Sequence, residues 1–212
     1  MHRIGFLGAS SAAGIAKRLE AFRAGMRELG YVEGKNLIVE WRFADGKLEG
    51  LPVLANGLVN LKPDLIVTAG TAATSAAQKA TTTIPIVMAN ASDPVGGGFV
   101  KTLARPGGNI TGLSSISGEL GPKHLEMLLS MAPKLSRVAV MVNPGNSTHA
   151  ATLKSVQAAA QRIGIKIAPV EARTPQEIEN AFAVMAREKA GAVIVASDSF
   201  FIQQLRQIAG LL

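Results

Sequence analysis

The chain has 212 residues, 48% hydrophobic, 17% charged and 4% aromatic, with no cysteine and a formal charge of +7. Such a length and apolar content can bury one large core or two small ones and argue against disorder, and the missing cysteines exclude disulfides, thiolate metal sites and thiol nucleophiles. The 22 Lys and Arg are spread along the chain, so the charge does not mark a nucleic-acid footprint, which needs clustering.

In chain order, residues 4–7 read as a short apolar strand and Gly8-Ala9-Ser10-Ser11-Ala12-Ala13-Gly14 as a loop of small residues. Ile15, Leu19, Phe22, Met26 and Leu29 then recur at steps of four and three, the stripe of a helix lying on a sheet, with Gly30 as its C-cap. A second strand is predicted over residues 37–43, a helix over 49–61 and a third strand over 65–69. A helix is expected over 72–80 and a fourth strand over 84–88, with Pro85 tolerated at its beginning. Asn90-Ala91-Ser92-Asp93-Pro94 reads as a polar loop, followed by a short helix interrupted at Arg105-Pro106-Gly107-Gly108-Asn109 and a brief fifth strand over 110–113. Strands alternating with helices in this way specify a doubly wound parallel α/β sheet.

A helix predicted over 118–131 opens a second round of the pattern. It continues with a strand at 138–142, the polar loop Asn143-Pro144-Gly145-Asn146-Ser147, and a helix over 148–163 closed by Gly164. A strand at 166–170, a helix at 175–189, a strand at 192–196 and a last helix over 200–209 follow. An offset of 134 aligns residues 4–30 with 138–164 without a gap, placing Leu19 on Leu153, Phe22 on Val156 and Gly30 on Gly164. An offset of 127 aligns the third strand with that at 192–196. Two related lobes are therefore expected: residues 1–112, a hinge at 113–117 centred on Ser114 and Ser115, and residues 118–212. The second lobe lacks counterparts of the first lobe's fourth and fifth strands, so it is expected to be incomplete and to continue beyond Leu212, since three strands would leave a bare edge. No run of the roughly 18 apolar residues that a membrane span needs is present, and the strand beginning just after Met1-His2-Arg3 leaves no expected secretory signal within these residues.

In open parallel sheets, ligands sit outside the carboxyl ends of the strands. The loops there are rich in Ser, Thr, Asn and Asp and nearly free of Lys, Arg and His, a lining suited to a small polar or carboxylate-bearing solute. Nucleotide motifs are absent: Gly5, Gly8 and Gly14 do not have dinucleotide-fingerprint spacing, and residues 30–36 do not form a phosphate loop. No Gly-x-Ser-x-Gly elbow occurs and no metal-ligand spacing is visible. His149, near Asn146 and Ser147, is the one histidine beside a strand-exit loop and otherwise reads as a surface helix residue. Asp93 and Asp198 are the acids of the expected cleft, to pair with a ligand ammonium or to cap a helix. No catalytic residue, cofactor or metal is assigned.

Several longer motifs carry a resemblance. They are Arg23-x-Gly25-x-x-Glu28-Leu29-Gly30-Tyr31-Val32-Glu33-Gly34-x-Asn36, Ala80-Thr81-Thr82-Thr83-Ile84-Pro85-Ile86-Val87, Ser92-Asp93-Pro94-Val95, the run from Arg105 to Ser114 and the run from Val138 to Pro144. Together they make the chain resemble the ABC transporter substrate-binding protein family, including its tryptophan-type binders. The resemblance implies a periplasmic-binding-protein-like fold of type I and capture of a small solute, an amino acid or related carboxylate, by hinge closure between two lobes. It implies contacts from Ser10, Ser11, Thr71, Ala72, Asn90, Ser92, Asp93, Asn143, Asn146, Ser197 and Asp198. It further implies a monomer that docks on a membrane permease, in the periplasm or lipid-anchored outside the inner membrane, with no nucleic-acid partner. The competing expectation is a cytoplasmic racemase- or isomerase-like enzyme with Asp93 and Asp198 as its acid and base. A regulator's ligand-sensing domain would need a DNA-binding or signalling segment that the sequence does not show.

Overall fold

The computed structural model describes residues 1–115 and 120–212. Alternation along the first strand sets the layers. In β1 (His2–Gly8), Ile4 and Phe6 face one side and Gly5 and Leu7 the other. The Ile4 side packs with Ile15 just before α1 (Ala16–Glu28), with Leu19 and Phe22 on that helix, and with Leu37 and Val39 on β2 (Leu37–Phe43). The Leu7 side packs under Ala55 and Leu58 of α2 (Leu51–Asn60), Ile66 of β3 (Leu65–Ala69) and Ala73 and Ala77 of α3 (Thr71–Ala80). Ile86 and Met88 of β4 (Ile86–Ser92) and Ile110 of β5 (Ile110–Ser115) complete that core. The strand order is β2-β1-β3-β4-β5, with β1–β2, β1–β3 and β3–β4 all parallel.

The second sheet has the order β7-β6-β8 and is also parallel. It is built from β6 (Arg137–Val142), β7 (Lys166–Glu171) and β8 (Ala192–Val195). Val138, Val140 and Val142 face α4 (Gly121–Met131) and α5 (His149–Arg162). Ala139 and Met141 face α6 (Pro175–Arg187), α7 (Ser199–Gln203) and α8 (Leu205–Leu211). The chain divides into two compact units, Met1–Ser114 and Ser115–Leu212.

The internal repeat is present in three dimensions. Strands β1 and β6, helices α1 and α5, and strands β3 and β8 sit at the two offsets read from the sequence. Gly30 and Gly164 both end their helices with positive φ, 85° and 73°, a conformation that glycine adopts without the Cβ penalty.

Several boundaries differ from the sequence reading. The fourth strand does not start at Ile84: Pro85 has no N–H to give the ladder, and its carbonyl only accepts Ile66 N–H at the strand's entry. The strand instead runs on to Ser92 through a register shift at Thr68/Ala69, so Asn90 and Ser92 are strand residues rather than loop residues. The helix expected after Pro94 does not form. Gly96, Gly97 and Gly98 weaken helix propensity there, and the segment folds as turns in which Asp93 O accepts Gly97 N–H and Pro94 O accepts Phe99 N–H. Leu29 is not part of the α1 stripe but 74% exposed, because α1 ends at Glu28. The last helix is two pieces, α7 and α8, broken at Gln204. The start of the helix expected at 118, and the hinge residues 116 and 117, lie outside the described residues, while Ser114 and Ser115 are the last residues of β5.

Helix α6 shows how local sequence fixes an end. Thr174 caps it, its Oγ1 accepting Glu177 N–H at 3.2 Å, while Glu177 Oε2 reaches back to Arg173 N–H at 2.7 Å. Thr174→Ala is expected to cost about 1 kcal/mol, readable in urea melts as a lower midpoint at unchanged slope.

Candidate functional site

In a parallel sheet the crossover direction reverses at one point, where neighbouring strand exits splay apart. In the first unit, that point lies between β1 and β3, the strands flanking the reversal in the order β2-β1-β3-β4-β5. Ser10, just past β1, is buried. Ser11 Oγ accepts Gly14 N–H at 3.1 Å and so shapes the following turn. Beyond β3, Gly70 takes φ of 105°, which a side chain would resist, and α3 starts at Thr71 with Ala72 in its first turn. The first amides of any helix have no acceptor within it. Thr68 and Thr74 hydroxyls, both fully buried, pair at 2.8 Å and fix α3 to β3.

Strand β4 brings its own residues to the same end. Asn90 O accepts Gly70 N–H at 3.2 Å and Thr71 Oγ1 accepts Ser92 N–H at 3.0 Å. Asp93, at φ of 41°, accepts Gly96 N–H on Oδ1 at 2.8 Å. Thus Thr71, Asn90 and Ser92 are joined around the exits of β3 and β4, and Asp93 is a turn former beside them. A cavity of about 390 Å³ opens on the α1 side of this unit, lined by Phe6, Leu19, Phe22 and Ala69 with Arg18 and Asn90.

In the second unit, the reversal lies between β6 and β8. Asn143 follows β6, its Oδ1 accepting Gly145 N–H at 2.9 Å and its Nδ2 donating to Asp198 Oδ1 at 3.2 Å. Asn146 Nδ2 donates to Asp198 Oδ2 at 2.9 Å, while its Oδ1 accepts from Thr148 N–H and Oγ1. Asp198 also caps α7 by accepting Phe200 N–H at 2.8 Å. Ser197 is exposed, and its carbonyl accepts from His149.

His149 is not the surface residue suggested by its place at a helix start. It is 3% exposed. Its Nδ1 accepts Asn143 N–H at 2.8 Å and its Nε2 lies 3.1 Å from Ser197 O. Its ring stacks near Phe201 at 6.4 Å. The alignment at an offset of 134 carried the signal, because it sets His149 against Ile15, a core position of the first unit. Among the described residues, no group of three or more His, Cys, Asp or Glu could hold a metal ion, and no helix is long and apolar enough to cross a membrane.

Elsewhere in the first unit, basic residues on α1 act locally: Arg23 lies over the Trp41 ring at 4.6 Å and donates to Glu33, which also accepts Trp41 Nε1–H.

Parallel sheets with polar strand exits at each reversal place the chain in the periplasmic-binding-protein-like class of α/β folds. Residues 6–209 match the family described as ABC transporter substrate binding protein, and the chain belongs to that family. A curated relative named tyrosine-binding protein, from Clostridioides difficile, is 26% identical over 189 residues, 89% of this chain and 54% of its own length. The chain therefore spans about half the length of that relative. A conserved domain protein from Vibrio cholerae is similar in structure with a TM-score of 0.86 and 27% identity, covering 99% of this chain and 70% of the other. A protein from Streptococcus pneumoniae, solved in complex with L-Trp, has the same fold with a TM-score of 0.86 at 22% identity, again over 99% and 70%.

Proposed function

We propose that this chain binds an amino acid without turning it over, as the solute-capturing component of an ABC importer outside the inner membrane. The observation that carries the reading is the family match over residues 6–209. The tyrosine-binding relative and the fold shared with an L-Trp complex narrow the solute class. The first unit offers a seat for a carboxylate: the amides opening α3 at Thr71 and Ala72, beside the Ser10 and Ser11 turn, with Asn90, Ser92 and Asp93 around them. Helix N-termini favour such anions because their free N–H groups and the helix dipole point the same way. The second unit offers the exit loops carrying Asn143, Asn146, Ser197 and Asp198.

Capture by closure about Ser114 and Ser115 follows the logic of a solute that gains contacts in the closed form alone and so shifts the population toward it. The closed monomer would then dock on the permease. The hydrogen bonds of Asp93 and Asp198 favour structural roles over the acid and base of the racemase reading. Asp93 is engaged with Gly96 N–H, and Asp198 accepts from Asn143, Asn146 and Phe200.

A thermal-shift screen with L-tyrosine, L-tryptophan and L-leucine tests the proposal. A solute at a hundred times its Kd stabilises by about 2.7 kcal/mol, and at roughly 2–4 °C per kcal/mol the melting temperature should rise by about 6–10 °C. No shift with any amino acid, or loss of the bound one to a product, overturns it.

A further inference from the structure

The internal repeat exposes a difference between the two units. An offset of 134 sets Ala9, Ala12 and Ile15 against Asn143, Asn146 and His149, and an offset of 127 sets Thr71 against Asp198. In the first unit the two flanking strand exits are tied by backbone, Ala9 N–H donating to Ala69 O at 3.1 Å, and Ile15 is core. In the second unit, the counterpart N–H, that of Asn143, goes instead to the His149 ring. Beyond the last backbone bond, Ala196 N–H to Met141 O, the tie between exits is made by side chains: His149 to Ser197 O, and Asn143 and Asn146 to Asp198.

All four polar residues are at most 5% exposed. Both Asp198 oxygens are taken, Oδ1 by Asn143 and Phe200 and Oδ2 by Asn146, with His149 Nε2 4.0 Å away. With three donors already on this buried carboxylate, a solute group would have to reach its one remaining acceptor site on Oδ2 or displace a donor, which costs the desolvation of each one left unpaired. The ring nitrogens are equally committed. Because Nδ1 accepts from a backbone N–H, it carries no proton, and Nε2–H donates to Ser197 O, so one neutral tautomer fits. Exposed residues lie on either side of this cluster, Pro144, Gly145 and Ser147 after β6 and Ser197 after β8.

We propose that His149, Asn143, Asn146 and Asp198 are positioning residues. They hold the two exit loops of the second unit in the arrangement that meets an amino-acid solute, and they do not touch it themselves. The inference rests on the solute-binding reading above, but its structural half has its own readout.

The test compares the unaltered chain with His149→Ile, which restores the residue type of the first unit, and His149→Asn, whose carboxamide oxygen can still accept Asn143 N–H. Imidazole nitrogen NMR of the unaltered chain should show His149 as the Nε2–H tautomer. Amide hydrogen exchange should quicken about tenfold or more in residues 143–148 and 196–199 of His149→Ile, with β1 and β3 unchanged as the internal control. Affinity for L-tyrosine or L-tryptophan, whichever the unaltered chain binds, should fall by about 10–100-fold, the range seen when groups behind a ligand shell are removed. His149→Asn should recover part of both effects. Unchanged loop exchange in both variants, the opposite tautomer, or loosened loops with unchanged affinity overturns the proposal. If the unaltered chain binds neither amino acid, the proposed solute class fails by itself. The exchange arm still decides this inference: faster loops support it and unchanged loops overturn it.

Discussion

Replacing Asp198 with alanine should destabilise the chain by about 3–4 kcal/mol and lower its melting temperature by about 10 °C. The carboxylate accepts Asn143 Nδ2 at 3.2 Å, Asn146 Nδ2 at 2.9 Å and Phe200 N–H at 2.8 Å, in a site where Asp198 is 5% exposed. Alanine leaves all three donors without an acceptor, and each buried orphan costs about 1–3 kcal/mol before the surroundings relax. Relaxation and entering water recover part, which is why the sum is not simply added. Asp198→Asn separates the two roles of the residue. It keeps the oxygen that accepts from Phe200 and Asn143 but turns an NH2 group toward Asn146 Nδ2, so it should lose roughly half as much. Calorimetry on the two variants checks this, and equal losses would show that the asparagine contacts carry the effect rather than the cap at α7, which Asp198→Asn keeps.

The frame was legible in the residues because both periodicities are clean. The Ile15-Leu19-Phe22-Met26 stripe and its counterpart, which includes Leu153 and Val156, each need an apolar surface to pack against, and the apolar strand runs beside them supply it. The repeat with its two glycine caps then indicated two similar sheets. What failed was local wherever small or polar residues carried a regular conformation. Ala89-Asn90-Ala91-Ser92 has the composition of a loop, yet the register shift beside Ala69 keeps it in β4. No glycine or proline marks the break at Gln204 between α7 and α8.

The residues around the strand exits were readable as a set for a similar reason, since topology alone puts Ser10, Thr71, Asn143 and Ser197 at carboxyl ends of strands. Their individual states were not. Asn143, Asn146 and Asp198 look alike in sequence as polar loop residues, and only their folded neighbours, 52 and 55 residues apart for the two asparagine–aspartate bonds, show that they satisfy one another. His149 is the sharpest case. As a lone histidine opening a helix it reads as solvated, whereas its two partners, Asn143 N–H and Ser197 O, make it a buried bridge. A polar residue aligned with a core isoleucine was the available warning.

Gly112→Ala is expected to be the most damaging single methyl addition in the first unit, at about 3–5 kcal/mol and a fall of about 10 °C or more in melting temperature. Gly112 holds φ of 135°, a conformation that side chains rarely adopt, which costs about 1–3 kcal/mol in strain. Its added Cβ would also overlap the Met88 carbonyl oxygen and stand 2.5 Å from Met88 N. Those are backbone atoms of β4, which lies between β3 and β5, so no side-chain rotation relieves the clash. Strand β5 must move instead. That movement withdraws Ile110, 2% exposed, from the core and pulls on Asn109, whose carbonyl accepts Ile86 N–H and whose Nδ2 donates to Ile84 O. Gly98→Ala is the matched control: φ is 71° but nothing lies within 4 Å of the new Cβ, so strain alone should cost about 1 kcal/mol. Denaturant midpoints of the two variants measure the difference, and similar losses would mean that β5 yields without cost and is not held against β4.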